Sequence, residues 1–377
     1  MKIKNTYLYQ ILLVFFLIRQ LFWGRILWTD SIQSNFLRIA NFSLIAIFVL
    51  GFFIYFLEMY VSKDYFYYCI VIPIIMVILF LSAIKISNFD ILLTILLVLL
   101  AKDVDYYKIV NTYFITMCII CAFVIVSSYV GITVDWIVNF TYGTGHSMGF
   151  NHPNNLGVII LSIVASWLYL YPNVKFPLLF GVPTIAGLII WKIAAARTSA
   201  ILLLAIPWLI FLFKSTKKFN SQNILKWEFW IVILAFLLSI YLMYRIGLRG
   251  SMNNFESRFN MPYILYNQYG INLFGSKLPL VGSREALQYK VQSIILDNAY
   301  LRVLLINGIL TTLIIIGLYA VLINNAYKSK KYILLIIIVL FIVEGFMEQF
   351  FLYAEFNFTI LATFANLNSS GLKDRKV

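Results

Sequence analysis

Charged residues are scarce in this sequence. Asp, Glu, Lys and Arg make up 12% of its 377 residues, about half of the share that keeps the surface of a soluble protein hydrated. Hydrophobic residues make up 62% and aromatic residues 18%, and the mean hydropathy is +0.91. The composition therefore excludes a water-soluble fold and indicates a chain that consists mainly of membrane spans. Any function must lie in those spans and in the loops that join them.

Side chains that carry metal, redox or nucleotide chemistry are also few. The three cysteines, Cys69, Cys118 and Cys121, lie inside apolar runs, which is typical of helix packing rather than of a redox or zinc site. The two histidines have no further metal ligand near them in the sequence. The phosphate-binding motif G-x-x-x-x-G-K-[ST] is missing as well. We therefore expect no metal and no cofactor, and neither ATP hydrolysis nor the use of a nucleotide sugar.

Apolar runs predict membrane-spanning helices along the whole chain. Ten to twelve spans are expected, because some runs are short and because the last two are separated only by Glu348 and its neighbours. The predicted fold class is an all-α polytopic membrane protein, with residues 1–377 forming a single integral membrane domain. The predicted spans are residues 6–24, 38–57, 65–84, 87–101, 108–131, 154–171, 176–191, 199–213, 227–247, 300–323, 332–349 and 351–367.

The lysines predict the orientation of these spans. In the twelve-span arrangement most lysines fall on one side, with clusters at 214–226, 328–331 and 373–376, and cytoplasmic loops are enriched in lysine. This side, which carries both termini, is predicted to face the cytoplasm. The net charge of +14 thus indicates topology rather than binding to nucleic acid. The outer side receives residues 25–37, 132–153, 192–198 and the long loop 248–299.

The arginines have the opposite distribution. All arginines except Arg375 fall at or toward the predicted outer side. Positive charge there opposes the usual bias of membrane insertion, and the planar guanidinium suits bidentate binding of phosphate or carboxylate. We therefore predict an outward-facing anion site. For single arginines, Arg19, Arg25 and Arg38 especially, contact with lipid headgroups or helix carboxyl ends is the alternative.

The long loop 248–299 is predicted to contain an interfacial helix. Ser257 is a candidate cap, the following residues give an apolar face, and Gly270 ends the helix. Arg258 then lies in the first turn, where a guanidinium and free backbone N–H groups together favour an anion. Arg249 and Arg258 are therefore candidate anion ligands, and docking of an amphipathic helix to anionic lipid is the alternative.

Both histidines lie in the predicted outer loop TYGTGHSMGFNHPNNLG. A neutral imidazole can transfer protons near physiological pH, so His146 and His152 are candidate proton-transfer groups. In the alternative interpretation, His152 caps the following span, while Asn151, Pro153 and Asn154 shape the turn.

Further polar residues stand in apolar surroundings. Arg197 lies in the turn KIAAARTSA, where Ser199 is a candidate cap of the next helix. Glu344 and Glu348 are four residues apart and share a helix face, either as a general base or as partners of the arginines. Asp297 is interpreted as the cap of the following span or, alternatively, as a ligand of sugar hydroxyls.

The order of these motifs resembles that of the Wzy-type polymerases of capsular polysaccharides and exopolysaccharides. The resemblance covers about residues 100 to 365 and rests on the order and spacing of short motifs. These relatives belong, with the O-antigen ligases, to a superfamily of membrane glycosyltransferases of the GT-C type. The motifs are GFNHPNNLG, the Arg-Thr-Ser turn at Arg197, Ser-Arg at Arg258 followed by NQYGINLFGS, LDNAYLRVLLINGIL, and Glu-x-x-x-Glu followed by Asn357.

The resemblance implies an enzyme of the bacterial cytoplasmic membrane whose active site faces outward. Such an enzyme joins oligosaccharide repeat units, each linked to undecaprenyl diphosphate, without a metal or a nucleotide sugar. Its partners would be the lipid-linked donor and acceptor, the lipid bilayer, and the chain-length regulator and flippase of the same pathway.

The resemblance also assigns roles to residues. The diphosphate of the donor would be bound by Arg197, Arg249 and Arg258. Deprotonation of the acceptor hydroxyl would be assisted by His152, Glu348 or Glu344, unless positioning alone suffices. The glycan would be bound by Asn151, Asn154, Asp297 and Tyr300.

Other functions are compatible with a chain of this kind. A ligase would use the same chemistry to pass a finished glycan to a different acceptor. A flippase for lipid-linked oligosaccharide is usually built from two related halves with charges near the midplane. No half-to-half repeat is visible in this sequence, and the charges collect in one outer loop, which favours an enzyme. An accessory scaffold of the assembly complex is a third alternative.

The predicted orientation can be tested by cysteine labelling of intact cells. In a background without the native cysteines, Ser276→Cys lies in the predicted outer loop and Ser329→Cys in a predicted cytoplasmic connection. A membrane-impermeant thiol reagent is expected to label only the first variant, because the reagent reaches only the outer side. Labelling of the second variant alone would reverse the orientation.

Overall fold

Most of the described chain is helical. The computed structural model describes residues 2–61, 66–140, 143–215, 228–250 and 255–368. Several lysines that support the predicted orientation lie outside these residues, namely Lys217, Lys218, Lys226, Lys373 and Lys376. The helices are α1 (Lys2–Gly24), α2 (Asp30–Val61), α3 (Ile72–Ile86, after a π-helical turn at Tyr67–Val71), α4 (Asp90–Leu100), α5 (Tyr106–Tyr129), α6 (Pro153–Leu170), α7 (Phe176–Ile193), α8 (Arg197–Ser215), α9 (Glu228–Gly247), α10 (Ser257–Tyr269), α11 (Ser283–Tyr289), α12 (Ala299–Arg302), α13 (Gly308–Lys328) and α14 (Tyr332–Glu344).

The helices confirm an all-α polytopic membrane protein. Among the described residues, nine helical segments are long and apolar enough to cross a membrane. Two shorter apolar helices, α4 and α14, lie beside them. The predicted bounds hold to within a few residues for most of these helices. The largest difference is in α2, which extends to Asp30 and Val61 and exceeds the predicted 38–57 at both ends. In addition, α13 runs to Lys328 instead of 323, and α14 ends at Glu344 instead of 349.

The predicted twelfth span, 351–367, is not an α-helix. After α14 the chain forms 3-10 turns at Gln349–Leu352 and Phe358–Ala362, joined by irregular backbone. The Ala299 N–H donates to the Gly345 carbonyl at one end of this segment, and the Tyr106 N–H donates to the Asn366 carbonyl at the other. Residues 345–366, called here the return segment, therefore run back through the helix bundle without a regular helix.

Side chains from the surrounding helices, and one from the segment itself, bind the carbonyls of the return segment. Backbone that is not helical is tolerated at membrane depth only where protein groups satisfy it, since each orphaned polar group costs several kcal/mol in an apolar medium. Three tyrosine hydroxyls and two asparagine amides meet this requirement. Tyrosine hydroxyls donate to backbone carbonyls from Tyr113 to Glu355 (2.8 Å), from Tyr319 to Phe351 (3.1 Å) and from Tyr106 to Phe358 (3.4 Å). Side-chain amides donate to backbone carbonyls from Asn325 to Thr363 and from Asn357 to Phe351, both at 2.8 Å.

Asn357 explains locally why this apolar run does not form a helix. Its side-chain oxygen accepts from the Thr359 N–H at 3.1 Å and from the Thr359 hydroxyl at 2.6 Å, which gives the backbone a bonding pattern other than that of a helix. The flanking aromatic residues Phe356 and Phe358 are fully buried. Hydropathy detects such a buried run but does not distinguish a helix from an irregular segment.

A short β-hairpin stands in the loop that precedes α6. Strands β1 (Ile137–Phe140) and β2 (Gly143–His146) pair antiparallel, with Ile137 opposite His146. The hairpin packs against the turn between α7 and α8, where a side chain at Gly145 would overlap the Ala194 carbonyl. No strand was predicted from the sequence, because an isolated hairpin of this length depends on its tertiary contacts.

The helix predicted within the long loop is present as α10. It begins at Ser257, so this serine is its first residue and not its cap, and Gly270 ends it as predicted. Phe259 is fully buried in a small apolar cluster with Met243 of α9 and Leu301 of α12. The helix therefore docks on the protein through its apolar face.

The long loop also supplies hydrogen-bond partners at a break between α12 and α13. A π-helical turn at Val303–Asn307 and the positive φ of Gly308 interrupt the helix and leave backbone groups without helical partners. Backbone groups of the loop supply these partners. The Ile309 N–H donates to the Asn272 carbonyl (3.1 Å) and the Leu310 N–H to the Leu273 carbonyl (3.2 Å), while the Ile306 carbonyl accepts from the Ser276 N–H (3.0 Å). Gly275, with φ +80°, lies directly against the Ile306 carbonyl, where a Cβ atom would overlap the oxygen.

We expect Gly275→Ala to undock this part of the loop. The new methyl group would meet backbone, which cannot move aside as a side chain can, so the cost should be roughly 2–4 kcal/mol. The measurement is thermal unfolding of the purified protein in detergent, together with protease sensitivity of the loop.

Gly250→Ala is the matched control. Gly250 also has a positive φ of 64°, but no atom of the residues that the structure describes lies within 4 Å of its Cβ position, so only the backbone strain of about 1 kcal/mol should appear. Equal melting temperatures for the two variants would contradict the close approach of loop and helix.

Candidate functional site

One polar cavity lies where the long loop, the hairpin loop and the end of α14 meet. Its volume is about 550 Å³, which is within the range of sites that hold small molecules or parts of larger ones. Side chains with amide, carboxylate, guanidinium and aromatic groups line it. They include Arg25, Trp136, Asn151, His152, Asn154, Asn155, Arg284, Glu285, Gln288, Tyr289, Asp297, Glu348 and Gln349.

Arg25 forms a fixed cationic wall of this cavity. Its Nη2 donates to Glu355 Oε1 at 3.1 Å and lies 3.9 Å from Asp90 Oδ2. The guanidinium also stacks over the rings of Tyr353 and Phe356 at 5.0 and 5.2 Å. The headgroup contact considered for Arg25 from the sequence is therefore wrong, because its charge is held by carboxylates inside the protein.

Backbone pairing joins the end of α1 to the loop that precedes α6. The Leu27 N–H donates to the Gly149 carbonyl, and the Asn151 N–H donates to the Arg25 carbonyl, both at 2.9 Å. Because both segments are held in this way, Arg25 and Asn151 face the same cavity.

His146 lies outside the cavity lining. Its Nδ1 is 2.7 Å from Asp135 Oδ2, and Asp135 also accepts from the Met148 N–H at 2.8 Å. The residue next to Asp135 is Trp136, whose N–H donates to the Ser147 hydroxyl oxygen at 2.7 Å. The His146–Asp135 pair thus closes the base of the hairpin, next to the aromatic residue that lines the cavity.

His152 lines the cavity and caps α6. Its Nδ1 accepts from the Asn154 N–H at 3.1 Å, as the alternative interpretation of the sequence predicted. Burial lowers the pKa of His152 to about 4, so the imidazole is neutral at physiological pH. With Nδ1 occupied as an acceptor, the proton lies on Nε2, and the side chain can offer the cavity a hydrogen-bond donor but not a free basic nitrogen.

Arg258, Asp297 and Glu348 form a second charged group, called here the Arg258 cluster. Arg258 Nε lies 3.6 Å from Asp297 Oδ2, and Arg258 Nη2 lies 3.8 Å from Glu348 Oε1. Asn154 Nδ2 donates to the same Glu348 oxygen at 2.9 Å. The sequence allowed Glu348 to be either a base or a partner of an arginine, and the structure pairs it with Arg258.

The two carboxyl groups of the Arg258 cluster differ in exposure. The side chain of Asp297 is 35% exposed and that of Glu348 only 8%. Burial raises the pKa of Asp297, while Arg258 and Arg302 oppose the shift. Asp297 is the more hydrated carboxyl group and lies nearer to Arg258, at 3.6 Å against 3.8 Å for Glu348, so it is the member better placed to carry the negative charge.

Glu344 lies behind the cavity. Its side chain is fully buried, and its Oε1 accepts from the Ser199 hydroxyl at 3.3 Å. Ser199 is therefore not the cap of α8, which begins at Arg197. Arg197 is exposed and stacks over the Trp191 ring at 5.6 Å, outside the cavity lining.

The structure separates the predicted site residues into three groups. Five of them line the cavity together: His152, Glu348, Asn151, Asn154 and Asp297. Arg258 and Glu344 contact or adjoin those residues. The remaining three, Arg197, Arg249 and Tyr300, lie elsewhere, and Tyr300 is a buried core residue whose hydroxyl donates to the Ile342 carbonyl.

Asp297 is not the cap of α12. The side chain of its neighbour Asn298 accepts from the Leu301 N–H at 2.9 Å and takes that role. Asp297 is thereby left to face the cavity, as the alternative interpretation of this residue required.

Several cavity residues were missed from the sequence. Trp136 lies in a loop without a motif, and the Arg25–Glu355 pair joins residues 330 positions apart. Arg284, which the sequence offered only as one of several positive groups in the long loop, lies in α11. One signal was available, because a carboxylate such as Glu355 in a long apolar run needs a cationic partner. The sequence does not indicate which arginine supplies it.

No model of a known protein family matches this chain, and no curated protein or solved structure is detectably similar to it. Its function is therefore inferred from the chemistry of the cavity.

The Arg25–Glu355 pair should stabilise the wall of the cavity through charge compensation. We expect Arg25→Gln to cost about 3–5 kcal/mol, because it leaves the fully buried Glu355 without its strongest partner. Glu355→Gln should cost less, since Arg25 retains Asp90. The measurement is thermal unfolding of the two single variants and the double variant in detergent.

The double variant decides between charge pairing and simple packing. If the charges compensate each other, the double variant loses clearly less stability than the two single losses combined. Additive losses would contradict the pairing.

Proposed function

We propose that this protein is a polysaccharide polymerase that joins undecaprenyl-diphosphate-linked oligosaccharide repeat units by glycosyl transfer. In this proposal the protein is a GT-C-type enzyme of the bacterial cytoplasmic membrane, and the cavity faces outward. The observation that carries it is the polar cavity at the ends of the apolar helices, where a lipid-anchored headgroup would lie.

The lining of the cavity supports a carbohydrate ligand. Asn151, Asn154 and Asn155 stand on one wall, and Gln288 and Gln349 on others, so that amide donors and acceptors surround the space. Trp136 and Tyr289 add aromatic rings to the same lining. Sugars present alternating hydroxyl groups and apolar ring faces, and this combination of amides with aromatic rings complements both.

The Arg258 cluster supports a transfer reaction at one edge of this space. The oxygen of an acceptor hydroxyl would bond to the anomeric carbon of the donor, while the bond from that carbon to the diphosphate breaks. The diphosphate leaves with the bonding electron pair, and the hydroxyl proton passes to the Asp297–Glu348 pair. Arginine near the departing phosphate stabilises its growing charge.

The geometry favours the carboxyl pair over His152 as the proton acceptor. His152 has no free basic nitrogen, because Nδ1 accepts from the backbone and Nε2 holds the proton. The role assigned to His152 is to donate a hydrogen bond to the glycan. Of the three arginines that the resemblance implied for the diphosphate, Arg258 is the one beside the cavity residues.

In cells that make the polymer, Arg258→Ala is expected to abolish long chains and to leave single lipid-linked repeats on the outer leaflet. Arg258→Lys should restore little, because an ammonium cannot replace the planar guanidinium. Arg249→Ala is the control, since Arg249 lies outside the cavity lining, and it should retain most of the activity. The measurements are polymer length on gels and the leaflet distribution of the repeats. Accumulation of repeats on the inner leaflet would identify a flippase and reject the proposal.

Reconstitution tests the reaction directly. The purified protein, given lipid-linked repeat units and no nucleotide, should produce a ladder of products. Asp297→Asn should slow the ladder at least about 100-fold if the carboxyl pair accepts the proton, because Asp297 is its charged member. His152→Asn keeps both a capping oxygen and an N–H donor for the glycan, so it should slow the ladder far less than loss of the proton acceptor does. Transfer of a single unit to a different acceptor, without a ladder, would identify a ligase.

A further inference from the structure

We propose that Arg258 exchanges between the Asp297–Glu348 pair and a phosphate group of the substrate, so that phosphate binding is coupled to uptake of a proton by that pair. The inference rests on the proposed function for the identity of the natural ligand, a lipid diphosphate. The coupling itself follows from the geometry of the Arg258 cluster.

The contacts that hold Arg258 are longer and weaker than those that hold Arg25. The contacts of Arg258 to the two carboxylates are 3.6 and 3.8 Å, longer than a hydrogen bond. Its Nη1 donates to the Met347 sulfur at 2.9 Å, and a thioether is a weak acceptor. Arg25, in contrast, bonds Glu355 at 3.1 Å between aromatic rings. A phosphate can accept two hydrogen bonds from one guanidinium, so it is a stronger partner for Arg258 than the two distant carboxyl groups and the thioether sulfur.

A count of charges shows where a proton must bind. One guanidinium faces two carboxyl groups, so it balances only one negative charge. Oε1 of Glu348 accepts from Asn154 and faces Arg258, which leaves Oε2 as the position for a proton. When Arg258 turns to a phosphate, Asp297 loses its cation and gains an anionic neighbour. Both changes favour protonation of Asp297.

The other charged groups around the pair do not replace Arg258. Arg302 acts on Asp297 from a distance, and Glu344, one helical turn before Glu348, is fully buried and accepts from the Ser199 hydroxyl. Within the cavity, Arg25 is engaged with Glu355, and Arg284 stands next to Glu285 in the lining. His152 is neutral.

The exchange matches the charge balance of glycosyl transfer. A diphosphate that loses its glycosyl group gains one negative charge, and the acceptor hydroxyl releases one proton. If the proton moves to the Asp297–Glu348 pair while Arg258 moves to the departing diphosphate, both charges are compensated inside the cavity. Inorganic pyrophosphate together with a protonated pair therefore imitates the state after transfer.

The test is calorimetric titration of the full chain in detergent with inorganic pyrophosphate. Titrations at one pH in two buffers of different ionisation enthalpy measure the number of protons taken up. The Asp297→Asn, Glu348→Gln double variant supplies the reference, since protonation of pyrophosphate itself contributes equally to both proteins. The wild type is expected to take up about one proton more than this variant, and its affinity should fall as pH rises from 6 to 9.

The variants give the direction of each effect. The double variant should bind pyrophosphate at least about tenfold more tightly, because no carboxylate competes for Arg258. Arg258→Gln should weaken binding by a similar factor. Glu285→Gln, which removes a carboxylate from the cavity lining but not from the Arg258 cluster, should keep the proton uptake of the wild type. Asp297→Asn alone, at the more exposed carboxyl group, serves if the double variant does not fold.

Equal proton uptake by the wild type and the carboxyl variant would overturn the inference, and so would unchanged binding by Arg258→Gln. The ladder assay keeps this result separate from the proposed function. A protein that makes the ladder without coupled proton uptake rejects the exchange alone. A protein with coupled uptake and no ladder supports the exchange and rejects the polymerase.

Discussion

The architecture depends on the need to satisfy every backbone polar group of a non-helical segment inside an apolar bundle. The return segment has no helical ladder for its carbonyls, and Tyr113, Tyr319 and Asn325 donate to them from neighbouring helices. These bonds keep residues 345–366 in place, and the segment carries Glu348 at its start and Glu355 near its middle. Glu348 and Glu355 therefore depend for their positions on side chains that lie outside the cavity lining.

Hydropathy was sufficient to predict the bundle but not the path of its last crossing. The spans up to α14 follow from long apolar runs, because a helix is the usual way to satisfy backbone in lipid. At 351–367 the same signal was interpreted in the same way and was wrong, since Asn357 bonds to Thr359 and the buried aromatics need tertiary donors. The hairpin before α6 and the docking of Gly275 against the α12–α13 break also depend on contacts between distant parts of the chain.

For the site, the sequence indicated residue types better than partners. His152, Asn154, Asp297 and Glu348 were identified because polar residues are costly in such surroundings, and they do meet in one cavity. The arginines were harder, because position on one side of a membrane does not determine which of them converge. Arg25, one of the three for which contact with headgroups or helix ends was considered, is the buried cation of the cavity, whereas Arg197 and Arg249 lie outside its lining. Which arginine enters the cavity depends on ion pairs between residues that are far apart in the sequence, such as Arg25 and Glu355.

The return segment also has a consequence for biogenesis. Apart from Asn357, which lies within it, the tyrosine and asparagine donors described for it come from earlier parts of the chain, in α5 and α13. A segment with unpaired carbonyls is not stable alone in lipid. It can therefore insert stably into the bilayer only after those helices have assembled. Its integration must therefore follow tertiary packing rather than precede it, and a chain from which α5 is deleted would lack Tyr106 and Tyr113, two of the donors that the last crossing needs.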